Sequence, residues 1–486
     1  MKSGTKPTAL DIYALVFGLF LGLCILKFGD PVILDQKILP PVSLNEFWND
    51  AWPTHWANWI FWPLVIIGVV VLASSARSRP AIGPATPQCR AIWLWILILP
   101  LIWLGWQMIS ATQTVDVNLT TTTLWQFCSC AACYFLGVFA FRSRRALYFL
   151  LPGILVAFGI CLIRAVHQHV EFPQTQKFLL EGQRTGWTNV PPAMIEEMLR
   201  DQTLITTNGV NVINPAIAER FAKNRVMGTL VYPNALAGII LLLLPVCLVL
   251  IFDSSRKLRP LVRAPAIALA VGLSMVAFYW SGSKLGWLLA MFIGAVCLFR
   301  LGWPLKLKML AIVTVAVLGL GVFAVRFHNY FTHGATSVTA RFDYWRAAAE
   351  TARAYPMFGT GPGTFQRPYA RLKAPDAEMA RLTHNDYLEQ FSDSGVVGGL
   401  AYAFWIFEAL VFVGARLWKS QDRMMFAVFL GLLGWFIQGL GEFGLYIPAL
   451  AWIAFTLLGC AAGYANTGES DRHIPQNTPR QKPGGG

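Results

Sequence analysis

Apolar runs, each about the length a helix needs to cross a bilayer, constrain this chain more than any other feature. A helical crossing takes roughly 20 apolar residues. Stretches such as 241–251 and 311–325 carry no charge and no apolar/polar alternation. The missing alternation excludes barrel strands. Helices remain, because inside lipid a backbone must satisfy its own hydrogen bonds. Runs bounded by charge, Pro or Gly place spans near 10–27, 58–75, 91–110, 122–141, 147–165, 229–252, 264–281, 285–299, 309–327, 394–415, 425–440 and 446–464. The expected fold class is therefore all-α: a polytopic membrane protein with about twelve transmembrane helices. Composition agrees, since 56% hydrophobic against 13% charged residues exceeds what one water-soluble core of this length would hide.

The net charge of +14 does not indicate a nucleic-acid partner, because Lys and Arg are dispersed in short clusters between apolar runs. Those clusters fall in every second connection: Arg77/Arg79/Arg90, Arg142/Arg144/Arg145, Arg256/Lys257/Arg259/Arg263, Arg300/Lys306/Lys308 and Arg416/Lys419/Arg423. This is the positive-inside pattern, and it puts both termini in the cytoplasm. Lys2 and Lys6 before the first run resemble the opening of a signal peptide, but no convincing small-residue cleavage site follows, so a retained first helix is expected. The nine Cys lie nearly all inside apolar runs and give no disulfide framework; Cys130 and Cys133 read as small buried hydrophobes.

The chain divides into N-terminal helices (1–165), a long outer loop (166–228), central helices (229–327), a second long outer loop (328–393), C-terminal helices (394–464) and a polar tail (465–486) expected to be disordered. Long loops in compact proteins tend to be functional. In the first, Ala193 to Arg200 reads as an amphipathic helix lying on the membrane surface.

The second loop holds the densest chemistry: R-x-x-Y-W at Arg341, Tyr344 and Trp345, P-x-x-G-T-G-P-G-T-F from Pro356 to Phe365, and H-N-D-Y-L-E from His384 to Glu389. Gly359, Gly361 and Gly363 form either an ordinary turn or a nest of amides for anionic oxygens; the missing Lys-Ser/Thr ending and preceding strand exclude a nucleotide P-loop. His384, beside Asn385, Asp386 and Glu389, is either a surface residue or a base able to take a hydroxyl proton. No second His or Cys cluster accompanies it, so no metal is expected. Lys284 at the tip of a tight hairpin, Arg225 before the 229–252 span, Asn234 in its interrupted outer end and Arg341 share the same face. Singly the cations read as snorkelling side chains; together with an imidazole they suit a lipid-linked diphosphate.

These motifs, S-x-S-K-x-x-x-L from Ser281 to Leu288, R-x-x-Y-W, G-x-G-P-G-x-F and the ten-residue gap between His384 and Gly395, resemble the O-antigen ligase and polymerase superfamily of bacterial inner-membrane glycosyltransferases. The resemblance covers roughly Arg225 to Gly398. It implies a donor glycan on undecaprenyl pyrophosphate, an acceptor hydroxyl on a glycan or lipid A core, no cofactor or metal, and a multi-pass inner-membrane protein with a periplasmic active site. Carried over residue by residue, His384 is the catalytic base and Lys284 and Arg341 bind the pyrophosphate. Arg225 and Asn234 match a looser donor pattern, and Asn385, Asp386 and Glu389 join the substrate-binding set, with Asp386 or Glu389 able to orient His384. Lys284 departs from the usual Arg and loses the planar two-pronged contact. Ligation onto a lipid A core and polymerisation of repeat units share the donor chemistry and differ in acceptor. A solute carrier is the other class; the scarcity of ionisable residues deep in spans, Glu408 being the main exception, speaks against it.

Overall fold

The computed structural model describes residues 6–75, 87–254, 260–327, 336–375 and 377–467. The basic residues Arg77, Arg79, Arg256, Lys257 and Arg259, together with Lys2 and the tail from Gly468, lie outside the described residues.

The chain is helical almost throughout. In order it forms α1 (Ala9–Lys27), α2 (Leu44–Asn49), α3 (Thr54–Ser75), α4 (Pro87–Ala111), α5 (Val117–Phe139) and α6 (Arg144–Arg184). Then come α7 (Pro192–Arg200), the antiparallel hairpin β1 (Leu204–Thr207) and β2 (Val210–Ile213), and α8 (Pro215–Lys223). The rest comprises α9 (Pro233–Ser254), α10 (Pro260–Ser281), α11 (Lys284–Arg300), α12 (Leu305–Arg326), α13 (Thr336–Ala354), α14 (Gln366–Leu372), α15 (Asp386–Lys419), α16 (Arg423–Gln438) and α17 (Pro448–Asn466). Ten helices are long and apolar enough to cross a membrane, by length and composition. Two more expected spans coincide with the shorter helices α11, of 17 residues, and α16, of 16.

At the centre stands α17, every residue of which is buried. Small residues let it approach α5 closely: a Cβ on Gly459 would lie 2.0 Å from the Tyr134 carbonyl oxygen, and one on Gly463 would lie 2.6 Å from that of Val138. Without a hydrophobic drive between helices in lipid, such backbone proximity is what holds a pair together. At the other extreme, α12 packs on α11 and buries none of its apolar window.

The ends of the helices separate into two sets. At one, Arg144 meets Asp253 at 3.4 Å, Tyr464 donates to Asp422 at 3.0 Å and Arg145 pairs with Asp11 at 2.9 Å. This is the end of the basic connections. At the other, Val115 N–H donates to Thr360, Ala449 N–H to Phe28 and Asp386 N–H to Gly439; both long loops lie here.

Those loops depart from the sequence reading in three ways. The helix α6 runs roughly five turns past the expected end at 165, because hydropathy marks where a helix leaves lipid and not where it stops. Ile195, Met198 and Leu199 of α7 turn onto a small core of Leu179, Trp187, Leu204 and Ile213, so this amphipathic helix packs on protein where a membrane-surface position was expected. Finally, α15 starts eight residues before the expected 394, carrying Asp386, Glu389 and Asp393 into the helix as buried residues.

A break at Gly395 (φ 69°, ψ −169°) divides α15, whose Val396 N–H donates to the Pro356 carbonyl at 2.8 Å. A Cβ there would sit 2.3 Å from the Met357 carbonyl oxygen, in a conformation L-residues avoid. Gly395→Ala is therefore expected to cost about 3 kcal/mol or more and to lower the melting temperature in detergent by several degrees. In contrast, Gly105→Ala, with open space around the new Cβ, should be neutral or mildly stabilising. Equal melting curves for the two variants would refute the argument.

Candidate functional site

The site assembles around a residue the sequence motifs did not single out, Glu442, in the turn between α16 and α17. Its side chain is 5% exposed. Four donors converge on its two oxygens. Oε1 accepts from Arg341 Nη2 at 2.5 Å and Asn234 Nδ2 at 2.7 Å; Oε2 accepts from the Tyr232 hydroxyl at 2.8 Å and lies 3.4 Å from His384 Nδ1. Burial pushes the Glu442 carboxyl up, but the bonds from His384 and Tyr232 and the charge of Arg341 outweigh it and hold the group below its ordinary value. One sequence signal pointed here: Glu442 is the only charged residue between Arg423 and Glu469.

His384 is held at φ 53°, in the left-handed region. The next residue, Asn385, caps α15 by accepting from the N–H groups of Tyr387 and Leu388, and Asp386 N–H donates to the carbonyls of Gly439 and Glu442. The imidazole is boxed by aromatic rings, with Tyr344 stacked at 5.9 Å and Phe443 edge-on at 4.7 Å. With Nδ1 turned to Glu442, Nε2 has no hydrogen-bond partner among the described residues, and the side chain is 28% exposed. A carboxylate at Nδ1 favours the tautomer whose Nε2 carries the lone pair.

Cations gather around this pair. Arg225 donates through Nε to the Ser281 carbonyl at 2.7 Å and through Nη2 to Asn234 Oδ1 at 3.0 Å, so Asn234 bridges it to Glu442. Burial lowers the Arg225 guanidinium from its ordinary value; Glu442 opposes this, while Arg341 and Arg326 add to it. Lys284 heads α11 with Nζ 5.3 Å from the Phe327 ring centre, and feels the charges of Arg225, Arg341, Lys223 and Arg326. Several positive groups thus crowd one carboxylate, an arrangement an incoming anion would relieve.

Of the residues picked from sequence, the structure brings Arg225, Asn234, Lys284, Arg341 and His384 to this place. The other three serve the framework. Asn385 is the helix cap and donates to the Leu440 carbonyl at 2.9 Å. Asp386 accepts from Leu445 N–H, and Glu389 from the Thr383 amide and hydroxyl at 2.8 and 2.9 Å. Both carboxylates are almost fully buried, 2% and 0% exposed, and Glu442 takes the place beside His384 offered to them.

The glycine turn resolves in the same direction. Gly359, Gly361 and Gly363 all have positive φ, but their amides are consumed internally: Gly361 N–H by the Asp393 carbonyl at 2.8 Å, Gly363 N–H by the Asp393 carboxylate at 2.7 Å and Gly359 N–H by Tyr355. The turn braces the start of α15 and offers no anion nest.

Among the described residues, no group of three or more His, Cys, Asp or Glu side chains is arranged to hold a metal ion. No curated protein matches the chain. Residues 268–403, from α10 through the Lys284 hairpin, Arg341 and His384 into α15, match the family described as O-antigen ligase. This segment is that of an O-antigen ligase family domain, a family of glycosyltransferase-type enzymes, and the match supports the superfamily read from the motifs.

Proposed function

We propose that the protein transfers a glycan from undecaprenyl pyrophosphate onto an acceptor hydroxyl, in the manner of an O-antigen ligase, without a metal, at the periplasmic face of a bacterial inner membrane. The observation that carries this reading is the cluster of Arg225, Lys284 and Arg341 about a His384 whose Nε2 is open while Nδ1 faces Glu442. The acceptor oxygen attacks the anomeric carbon, the bond from that carbon to the pyrophosphate oxygen breaks, and the hydroxyl proton passes to Nε2. Charge accumulates on the departing diphosphate, and the three cations stabilise it where it forms. A single displacement inverts the anomeric centre. Glu442 steadies the imidazolium and orients the ring; as a buried anion it also fixes the arm of Arg341. Polymerisation of repeat units would use the same donor chemistry; the family description favours ligation.

With undecaprenyl-pyrophosphate glycan and an acceptor supplied in detergent, His384→Ala should lower the release of undecaprenyl pyrophosphate by about 10²–10⁴-fold at unchanged expression. Turnover near the parent level in that variant would remove His384 from the mechanism.

Glu442 also makes a pH prediction. A carboxyl held below its ordinary value of 4.5 by folding contributes stability fully above that value, and the contribution fades as pH falls through the depressed folded value. The melting temperature should drop on acidification below about pH 4.5. In Glu442→Gln that component of the acid slope should vanish, on top of a loss at neutral pH of about 3 kcal/mol for the broken buried pair. An acid slope identical in parent and variant would show that Glu442 is not held as an anion.

A further inference from the structure

A second feature lies at the opposite end of the same helices. A cavity of about 740 Å³ is bordered by α9, α10, α11, α16 and the end of α15, within the size range of built ligand sites, roughly 300–1,000 Å³. Its walls are apolar: Leu241, Leu244, Phe278 and Ile293 line the deep part, and Phe426 and Leu430 close the α16 side. It opens on the lipid-facing surface, since Met275, Cys297 and Trp418 on its border are exposed. At the end of the basic connections its mouth carries Arg300, Lys419 and Arg423, and among the described residues no acidic side chain lines it; Asp422, next in sequence to Arg423, is buried and accepts from Tyr464. Arg300 is fixed there by donating to the Ser420 carbonyl and by lying 3.7 Å from the centre of the Phe426 ring.

We propose that this cavity is a binding site for an anionic phospholipid of the leaflet next to the basic connections, with its acyl chain between α9, α10 and α11 and its phosphate at Arg300, Lys419 and Arg423. Two observations select that occupant. An apolar slot ended by cations and free of acids complements a single-charged amphiphile, and basic pockets between membrane helices are where such headgroups bind. Second, the cations are too far from the transferase site to serve the same headgroup: α11 runs from Lys284 to Arg300, a rise of roughly 25 Å. The inference stands apart from the transferase reading and does not need it.

The test uses the full-length protein in phosphatidylcholine nanodiscs carrying a photoactivatable phosphatidylglycerol or, separately, a photoactivatable phosphatidylcholine. Phosphatidylglycerol should label peptides of α11 and α16, and unlabelled phosphatidylglycerol should compete. Arg300→Gln, Lys419→Gln and Arg423→Gln should each reduce labelling about fivefold. Gly294→Leu should abolish it while the fold is kept, since Gly294 lines the cavity and a Cβ there meets nothing within 4 Å. Equal labelling by the phosphatidylcholine probe would reduce the site to ordinary annular lipid. Displacement by a polyprenyl phosphate but not by phosphatidylglycerol would assign the cavity to the tail of a donor lipid. Either result overturns the proposal, as would labelling unaffected by Gly294→Leu.

Discussion

A buried carboxylate is costly unless its charge is matched, and the end of this bundle that carries the long loops is organised by how Glu442 is matched. Desolvating such a group costs several kcal/mol, which falls away only when donors of good geometry surround it. Here Tyr232 and Asn234 come from the start of α9, Arg341 from α13 and His384 from the turn into α15. One anion thereby ties together three segments far apart in the chain. Backbone bonds from Asp386 to Gly439 and Glu442 fix the turn that carries the anion to the turn that carries the imidazole. Moving any of these parts would leave a charge buried without its partner, so geometry is enforced by electrostatics as well as by packing.

The spanning helices were legible because hydropathy is a direct readout of the solvent around a span, and each expected span overlaps one helix, although α6 and α15 run well beyond theirs. Beyond lipid that readout stops. It could not show that α6 continues to Arg184, that β1 and β2 pair, or that α15 begins at Asp386, since these features lie where water, lipid and protein surfaces meet. The candidate site was legible to the extent that it was local in sequence: His384, Arg341, Lys284, Arg225 and Asn234, singled out from motifs, are the residues that come together. Glu442 was not, because it comes more than forty residues after the last motif and acts through contacts made only in three dimensions. Asn385, Asp386 and Glu389 looked functional through proximity to His384, yet a helix start demands caps and buried acceptors of the same residue types.

The glycine turn shows why a motif can be specific without touching a ligand. Gly359, Gly361 and Gly363 let backbone from Pro356 to Phe365 press against Ser392 to Gly395, so that the Asp393 carbonyl and carboxylate absorb two of its amides. Trp106 of α4 closes the joint by donating to the Ser394 carbonyl at 2.9 Å, and Ser110 donates to that of Asp393 at 3.0 Å. Side chains at the three glycines would meet Asp393, Thr114 and Thr123 at 2.3, 2.3 and 2.1 Å. The motif thus sets the angle at which α15 leaves its kink, and so the position of the imidazole one residue ahead of its cap.

The lysine at position 284 fits a division of labour among the cations. Arg225 is oriented by two directed bonds, to the Ser281 carbonyl and to Asn234, and Arg341 by its bond to Glu442. A planar guanidinium held in this way presents its remaining N–H groups in a fixed direction, which is what aligning a diphosphate requires. Lys284 stands at the head of α11 against the Phe327 ring, with an ammonium that has no planar fork to orient. On the transferase reading its task is charge, delivered as a compact point wherever the leaving diphosphate concentrates its own. Alignment then rests with the two arginines, so a Lys at this one position keeps the charge the site uses and gives up only a planar contact that the arginines supply.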